Sequence, residues 1–222
     1  MKSYPQFRCR CGYVLAAEVT GTQPLQDTMC PKCKAAMWFV DDGIASNRIF
    51  ARATSELQQQ QDYTLAIILS AMAVEAELAR VFIKWKEMEL MGEPMRTDDE
   101  SKWEDQLRRW SSITEKFDGI CTFLARQHFD AFLANRPELL ETVCSRHPAL
   151  RGNPSPKAFF QEQLFWKRNR IIHFGAIDFS GADAYQCVEL ASTLFLIIRE
   201  IDAVRVKRLE MVLATASRKV QS

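Results

Sequence analysis

Three polar residues near the end of a predicted helix have the chemistry of a phosphodiester-cleaving site. Arg168, Asn169 and His173 lie within Trp-Lys-Arg-Asn-Arg-Ile-Ile-His-Phe-Gly, residues 166–175. A histidine can transfer protons near neutral pH, an asparagine can orient a phosphate or hydroxyl, and an arginine can bind an anion bidentately. The structural alternative is that histidine and arginine in a last helical turn simply complement the helix dipole.

The helix that must position these residues has recognisable ends. Ser155 is the expected N-cap, Pro156 suits the first helical position, and Gly175 suits a left-handed end. The predicted apolar face of this helix consists of Phe160, Leu164, Ile171 and Phe174.

Helix geometry separates the arginine from the histidine. Asn169 and His173 are four residues apart and share one face, whereas Arg168 precedes His173 by five residues and points about 140° away. The three residues can therefore line one concavity from adjacent faces, from a loosened final turn, or across a symmetric pair of helices.

Four cysteines near the N-terminus have the spacing of metal ligands: Cys9, Cys11, Cys30 and Cys33. Two close pairs of thiolates can complete a tetrahedral Zn²⁺ shell, which leaves no open position for catalysis. With predicted strands at 13–20 and 36–40, residues 1–42 resemble a zinc ribbon. This small β module is expected either to dock RNA, DNA or protein, or to be a purely structural cap.

Composition limits the setting of the protein. The formal charge of +1 means that any basic surface must be local. The sequence contains no apolar run long enough to cross a bilayer and no signal-peptide core at its start, so no membrane partner is expected. An odd number of cysteines, seven in all, with four in metal-ligand spacing, predicts a reducing cytoplasm.

Residues 43–222 predict a second, α-helical domain, so the fold class is mainly all-α. Its central helix is expected at 63–91, with a core-facing set at three- and four-residue steps: Leu65, Ile68, Leu69, Met72, Ala76, Ala79 and Ile83. Glu75 leans towards apolar neighbours and needs a partner if it is buried. Arg168 is the predicted partner; the alternative is that Glu75 reaches water.

Further helices are expected before and after the helix that carries Arg168, Asn169 and His173. A capping-box start at Thr97 predicts a helix through Phe117, followed by helices at 119–135 and 137–146. A final helix is expected at 182–213. Its predicted core-facing residues are Val188, Ala191, Leu194, Phe195, Ile198 and Ile201.

Residues from about 44 to 210 resemble a HEPN domain, an all-helical family that includes many prokaryotic toxin and antiviral ribonucleases. The sequence Arg168-Asn-Arg-Ile-Ile-His173 fits the family's R-x4–6-H motif, including the polar residue after the arginine. The motif also lies near the end of a late helix with one long helix after it, and residues 62–78 are similar to the family's first core helices.

The resemblance implies a homodimer with one composite, metal-independent site for cleaving RNA. His173 would be the general acid and base for attack by a ribose 2′-hydroxyl, Arg168 would stabilise the charge on phosphorus, and Asn169 would position the phosphate. Arg170 and Glu75 are expected to support them. The products would be a 2′,3′-cyclic phosphate and a 5′-hydroxyl, and the setting would be a toxin or phage-defence system with an antitoxin or regulatory protein.

Two other functions remain open from the sequence. The resemblance to the HEPN family also allows a dimeric binding or adaptor module without catalysis, and a zinc ribbon would suit such an adaptor. A third function is nucleic-acid binding through the ribbon alone.

Overall fold

The computed structural model describes residues 6–8, 14–16, 32, 38–41, 45–89, 97–110, 112–176 and 178–220, and most of these are helical. Three short strands, β1 (Gln6–Arg8), β2 (Val14–Ala16) and β3 (Trp38–Asp41), form an antiparallel sheet in the order β2-β1-β3. The second strand lies within the predicted strand segment 13–20, and the third overlaps the segment predicted at 36–40 and extends one residue past it. The sequence did not predict the first strand.

The helical part begins with two helices joined by a wide turn. Helix α1 (Ala45–Ser55) continues into a π-helical turn (Glu56–Gln60), which ends at Gln61 in a left-handed conformation with φ of 56°. Helix α2 (Tyr63–Glu89) then starts where Asp62 Oδ1 accepts a hydrogen bond from the Leu65 backbone N–H at 2.9 Å. An aspartate at this position satisfies an N–H group that the first turn leaves without a partner.

Helix α2 is central, but the predicted direction of its core face is wrong. The side that packs between α1 and α9 is lined by small and large apolar residues: Ala66, Ile67, Ala71, Ala73, Val74, Leu78, Val81, Phe82 and Trp85. Most of the predicted core set lies on the other side, where Met72 is 42% exposed; the other members are half-buried, and Ile68 and Ile83 among them pack against the core. Both sides of the helix are apolar, so periodicity alone did not identify the one that packs.

The long helix α9 (Gly181–Val220) closes the core as predicted. Its six predicted core-facing residues are all buried. Lys84 of α2 donates to Asp202 of α9 at 2.8 Å, and the Trp85 indole N–H donates to the same carboxylate. These bonds fix the two longest helices against each other.

The single helix predicted from Thr97 through Phe117 is divided in two. Helix α3 (Thr97–Arg109) ends before Trp110, and α4 (Ile113–Ala125) starts at a capping box formed by Ser112 and Glu115. Gly119, predicted to begin a new helix, lies inside α4. A Cβ atom there would lie 2.3 Å from the Trp110 ring, so the glycine makes room for the indole.

The predicted helix at 119–135 is therefore also wrong in its bounds. Arg126, with φ of 63°, ends α4, and α5 (Phe129–Ala134) follows. Helix α6 (Pro137–Arg146) matches its prediction. A 3₁₀ turn (Pro148–Leu150) leads to the candidate region.

The predicted helix that carries the candidate residues starts and ends as expected, but a π-helical turn interrupts it in the middle. Helix α7 (Pro156–Phe160) is capped by Ser155, whose hydroxyl accepts from the Ala158 N–H at 3.2 Å. A second π-helical turn (Gln161–Phe165) leads into α8 (Trp166–Phe174), which ends at Gly175 with φ of 64°. Phe174 was predicted to face the core, but it is 81% exposed because it falls where the helix ends. Along the described parts of the chain, no helix combines the length and the apolar character needed to cross a membrane.

Candidate functional site

Helix α8 places the three candidate residues on two different sides. Ile171 is buried against the core, while His173 is exposed and Asn169 is half-buried. Arg168 points towards α2, and its side chain is only 19% exposed. Within one chain, the guanidinium therefore points away from the exposed imidazole, and a concavity shared across a symmetric pair of helices stays a prediction.

The predicted pairing of Arg168 with Glu75 is confirmed. One terminal nitrogen of the guanidinium, Nη2, donates to Glu75 Oε1, and the other, Nη1, donates to Asn169 Oδ1 at 2.8 Å. The Glu75 side chain is 28% exposed, so the ion pair lies at the rim of the core. Through these bonds, Glu75 and Asn169 fix the direction of the guanidinium.

A small cavity of about 250 Å³ lies beside this ion pair. Its walls come from α2, α4, the second π-helical turn and α8: Glu75, Ser112, Ile113, Lys116, Gln161, Phe165, Arg168 and Asn169. Two cations and one carboxylate give it a positive balance. The sequence analysis missed Lys116 and Gln161, because only the packing of α4 and the π-helical turn brings them there.

Two buried polar atoms near this cavity have no hydrogen-bond partner: Nε of Arg168 and Oε1 of Gln161. Buried polar groups without partners are uncommon and cost free energy. The Arg168 side chain is therefore only partly satisfied by Glu75 and Asn169. A larger, open depression of about 430 Å³ beside α3 contains none of the candidate residues.

The outer face of α8 carries a second group of side chains. Trp166, Arg170 and His173 are separated by four and three residues, so they follow one another along one side of the helix. The Arg170 guanidinium lies 5.0 Å from the centre of the Trp166 ring, and the indole is 50% exposed. Within the described residues, no carboxylate forms an ion pair with Arg170. Helical spacing could have identified Trp166, which the sequence analysis did not select.

The start of α9 holds α8 in place through hydrogen bonds to Lys167. The Lys167 ammonium is buried and donates to Asp183 at 2.9 Å and to Gln186 at 3.0 Å. Hydrogen bonds from Ser180 and from Lys167 lower the pKa of Asp183 to about 2. The ion pair with Asp183 gives Lys167 a structural role, although Lys167 directly precedes Arg168 in the chain.

His147 and the three described cysteines, Cys121, Cys144 and Cys187, are buried and therefore structural. His147 is buried, its Nε2 lies 2.9 Å from the Thr193 hydroxyl, and burial together with Arg146 lowers its pKa. His128 is exposed at the start of α5. Burial raises the pKa of Cys121 and of Cys187 to about 12, so neither thiol is a nucleophile near neutral pH.

The four predicted zinc ligands, Cys9, Cys11, Cys30 and Cys33, lie outside the described residues. Among the residues that are described, no group of three or more histidine, cysteine, aspartate or glutamate side chains is arranged to hold a metal ion.

Comparison of the chain with models of known protein families, with curated proteins and with solved structures found no match.

Proposed function

We propose that this protein is a metal-independent endoribonuclease with a HEPN-type site that cleaves RNA through attack by a ribose 2′-hydroxyl. The observation that carries the proposal is the exposed His173 on the same outer face as Arg170, one helical turn from Asn169. An exposed imidazole can reach a substrate and exchange protons with it near neutral pH. The products are a 2′,3′-cyclic phosphate and a 5′-hydroxyl.

Each residue has a distinct role in this proposal. His173 removes the proton of the 2′-hydroxyl and returns a proton to the departing 5′-oxygen, a role that typically contributes about a hundred- to ten-thousandfold in rate. Arg168 stabilises the charge that grows on the phosphoryl oxygens. Asn169 binds the Arg168 guanidinium and orients the scissile phosphate, while Glu75 and Arg170 support the site.

We propose that two copies of the chain build the site together, because Arg168 and His173 diverge within one copy. The outer side of α2 supports this: a half-buried to exposed apolar strip of Leu65, Leu69, Met72, Ala76 and Ala79. A helix that is apolar on both sides is usually covered on both. Glu75 borders this strip, so a second copy packed there approaches the Arg168 cavity.

The N-terminal part of the proposal rests on the cysteine spacing. Cys9, Cys11, Cys30 and Cys33 are the proposed ligands of a structural Zn²⁺ in a ribbon that docks RNA or a regulatory protein such as an antitoxin. A cytoplasmic toxin or phage-defence setting is part of the same proposal.

One observation favours a second candidate, a dimeric binding or adaptor protein without catalysis. The ion pair with Glu75 uses a hydrogen-bonding edge of Arg168 that a nuclease would direct at phosphate. In an adaptor this ion pair would be purely structural, and the exposed face of α8 would bind a partner.

Single-stranded RNA incubated with wild type, His173→Ala and Arg168→Gln, with and without a chelator, distinguishes the two candidates. The nuclease proposal predicts a loss of at least about a hundredfold in both variants, no effect of the chelator, and cyclic phosphate termini. DNA of the same sequence should remain intact, because it lacks the 2′-hydroxyl. Equal cleavage by wild type and His173→Ala would remove the nuclease assignment.

A further inference from the structure

We propose that Trp166 and Arg170 form a nucleobase-stacking platform that holds an unpaired nucleotide of the RNA beside His173. This inference rests on the proposed function, since it specifies how the substrate is bound at the same site. It selects single-stranded RNA as the substrate class.

The exposure of Trp166 is the first support for the platform. An indole is a large apolar group that proteins usually bury. Among the described residues, the Trp166 side chain nevertheless remains 50% exposed. Its flat face can stack on any base, and such stacking is worth about 1–3 kcal/mol per base. The ring is held at the first turn of α8, where the buried Phe165 and Lys167 flank it in the chain.

The charge next to the ring is the second support. The Arg170 guanidinium lies 5.0 Å from the ring centre. Because no described carboxylate neutralises it, this guanidinium remains available for a phosphate or for stacking on a base. An aromatic face beside an unneutralised cation complements a nucleotide, which combines a planar base with an anionic phosphate.

The spacing along α8 is the third support. Trp166 and His173 are seven residues apart, which is about 10 Å along the helix axis and the rise of about three stacked nucleotides. A base on Trp166 therefore belongs to the same short stretch of strand as a phosphodiester at His173. In a duplex the bases stack on one another and cannot reach the ring, so the platform requires an unpaired strand.

Binding to the full-length protein tests the platform without depending on cleavage. The probe is a short, fluorescently labelled 2′-O-methyl oligouridine, which lacks the free 2′-hydroxyl and cannot be cut. Trp166→Leu should weaken binding about 5- to 150-fold, the equivalent of 1–3 kcal/mol, whereas Trp166→Phe keeps a ring and should lose much less. Tyr185→Leu removes another exposed aromatic ring, on α9, and should stay within about twofold of wild type if stacking is specific to Trp166.

Two results would overturn the platform. One is equal affinity of wild type, Trp166→Phe and Trp166→Leu for the probe. The other is a change of oligomeric state in Trp166→Leu, measured by sedimentation, which would make Trp166 a subunit contact. Failure of the nuclease proposal would be seen in a different assay. In that case His173→Ala would cleave RNA as well as wild type, whatever the binding assay shows for Trp166.

Discussion

Arg168 and Glu75 lie 93 residues apart in the chain and form an ion pair between α8 and α2. The pair directs the guanidinium away from the outer face of α8 and towards the half-exposed strip of α2. Any function of Arg168 must therefore be exerted on that side. This relationship is the reason for proposing that a second copy of the chain supplies the histidine that works with it.

The free energy of coupling between Arg168 and Glu75 should exceed that of a surface pair. In a double-mutant cycle of Arg168→Gln and Glu75→Gln, we expect about 1–2 kcal/mol, because both groups are partly withdrawn from water. Urea unfolding of the four proteins measures it.

The matched control is Arg151 with Glu141, whose side chains are 62% and 70% exposed. That exposed pair should show less than about 0.5 kcal/mol in the same kind of cycle. Equal coupling in both pairs would mean that the Arg168 ion pair has no special strength and does not fix the guanidinium.

Met72→Glu should separate the proposed dimer. The substitution places a charge in the middle of the apolar strip of α2, where desolvating a carboxylate opposes association. Sedimentation should show a monomer with an unchanged helical spectrum and greatly reduced cleavage. Val206→Glu, at an exposed valine of α9, should change neither property. A Met72→Glu dimer with full activity would show that copies associate elsewhere.

Acid should destabilise the protein through His147. Because burial lowers its pKa, the folded chain binds fewer protons than the unfolded chain, in which a histidine has a pKa of about 6.5. This contribution to stability is complete above about pH 7 and is lost as pH falls through 6.5 towards the folded pKa. Urea unfolding at about pH 7.5 and pH 5.5 should show a smaller pH difference in His147→Gln than in wild type.

Removing zinc should leave catalysis intact. We expect the N-terminal module to unfold when a chelator releases the metal or when Cys30→Ser and Cys33→Ser are combined. The helical circular-dichroism signal of the remaining chain should stay unchanged. Cleavage of a short oligonucleotide should continue at the wild-type rate. A rate that falls in proportion to the zinc content would contradict the assignment of a structural metal.

Features set by local chemistry were predictable from the sequence. Ser155 starts and Gly175 ends a helix as expected, since capping depends on one side chain or one backbone angle. The Glu75–Arg168 pair was also predictable, because a carboxylate among apolar residues needs a cation.

Features set by packing were not predictable. The inward side of α2 could not be chosen, because Met72 and Ile67 lie on opposite sides of a helix that is apolar on both. The break between α3 and α4 depends on the Trp110 ring against Gly119. The π-helical turn that brings Gln161 to the cavity has no sequence pattern of its own.

Complementation between two inactive variants tests the composite site most directly. Arg168→Ala and His173→Ala chains, each inactive alone, are co-expressed with different tags, and the mixed dimer is isolated. A mixed dimer contains one intact pair, His173 of one chain and Arg168 of the other, so RNA cleavage should return to about half the wild-type rate. A mixed dimer as inactive as its parents would contradict a site shared between two chains.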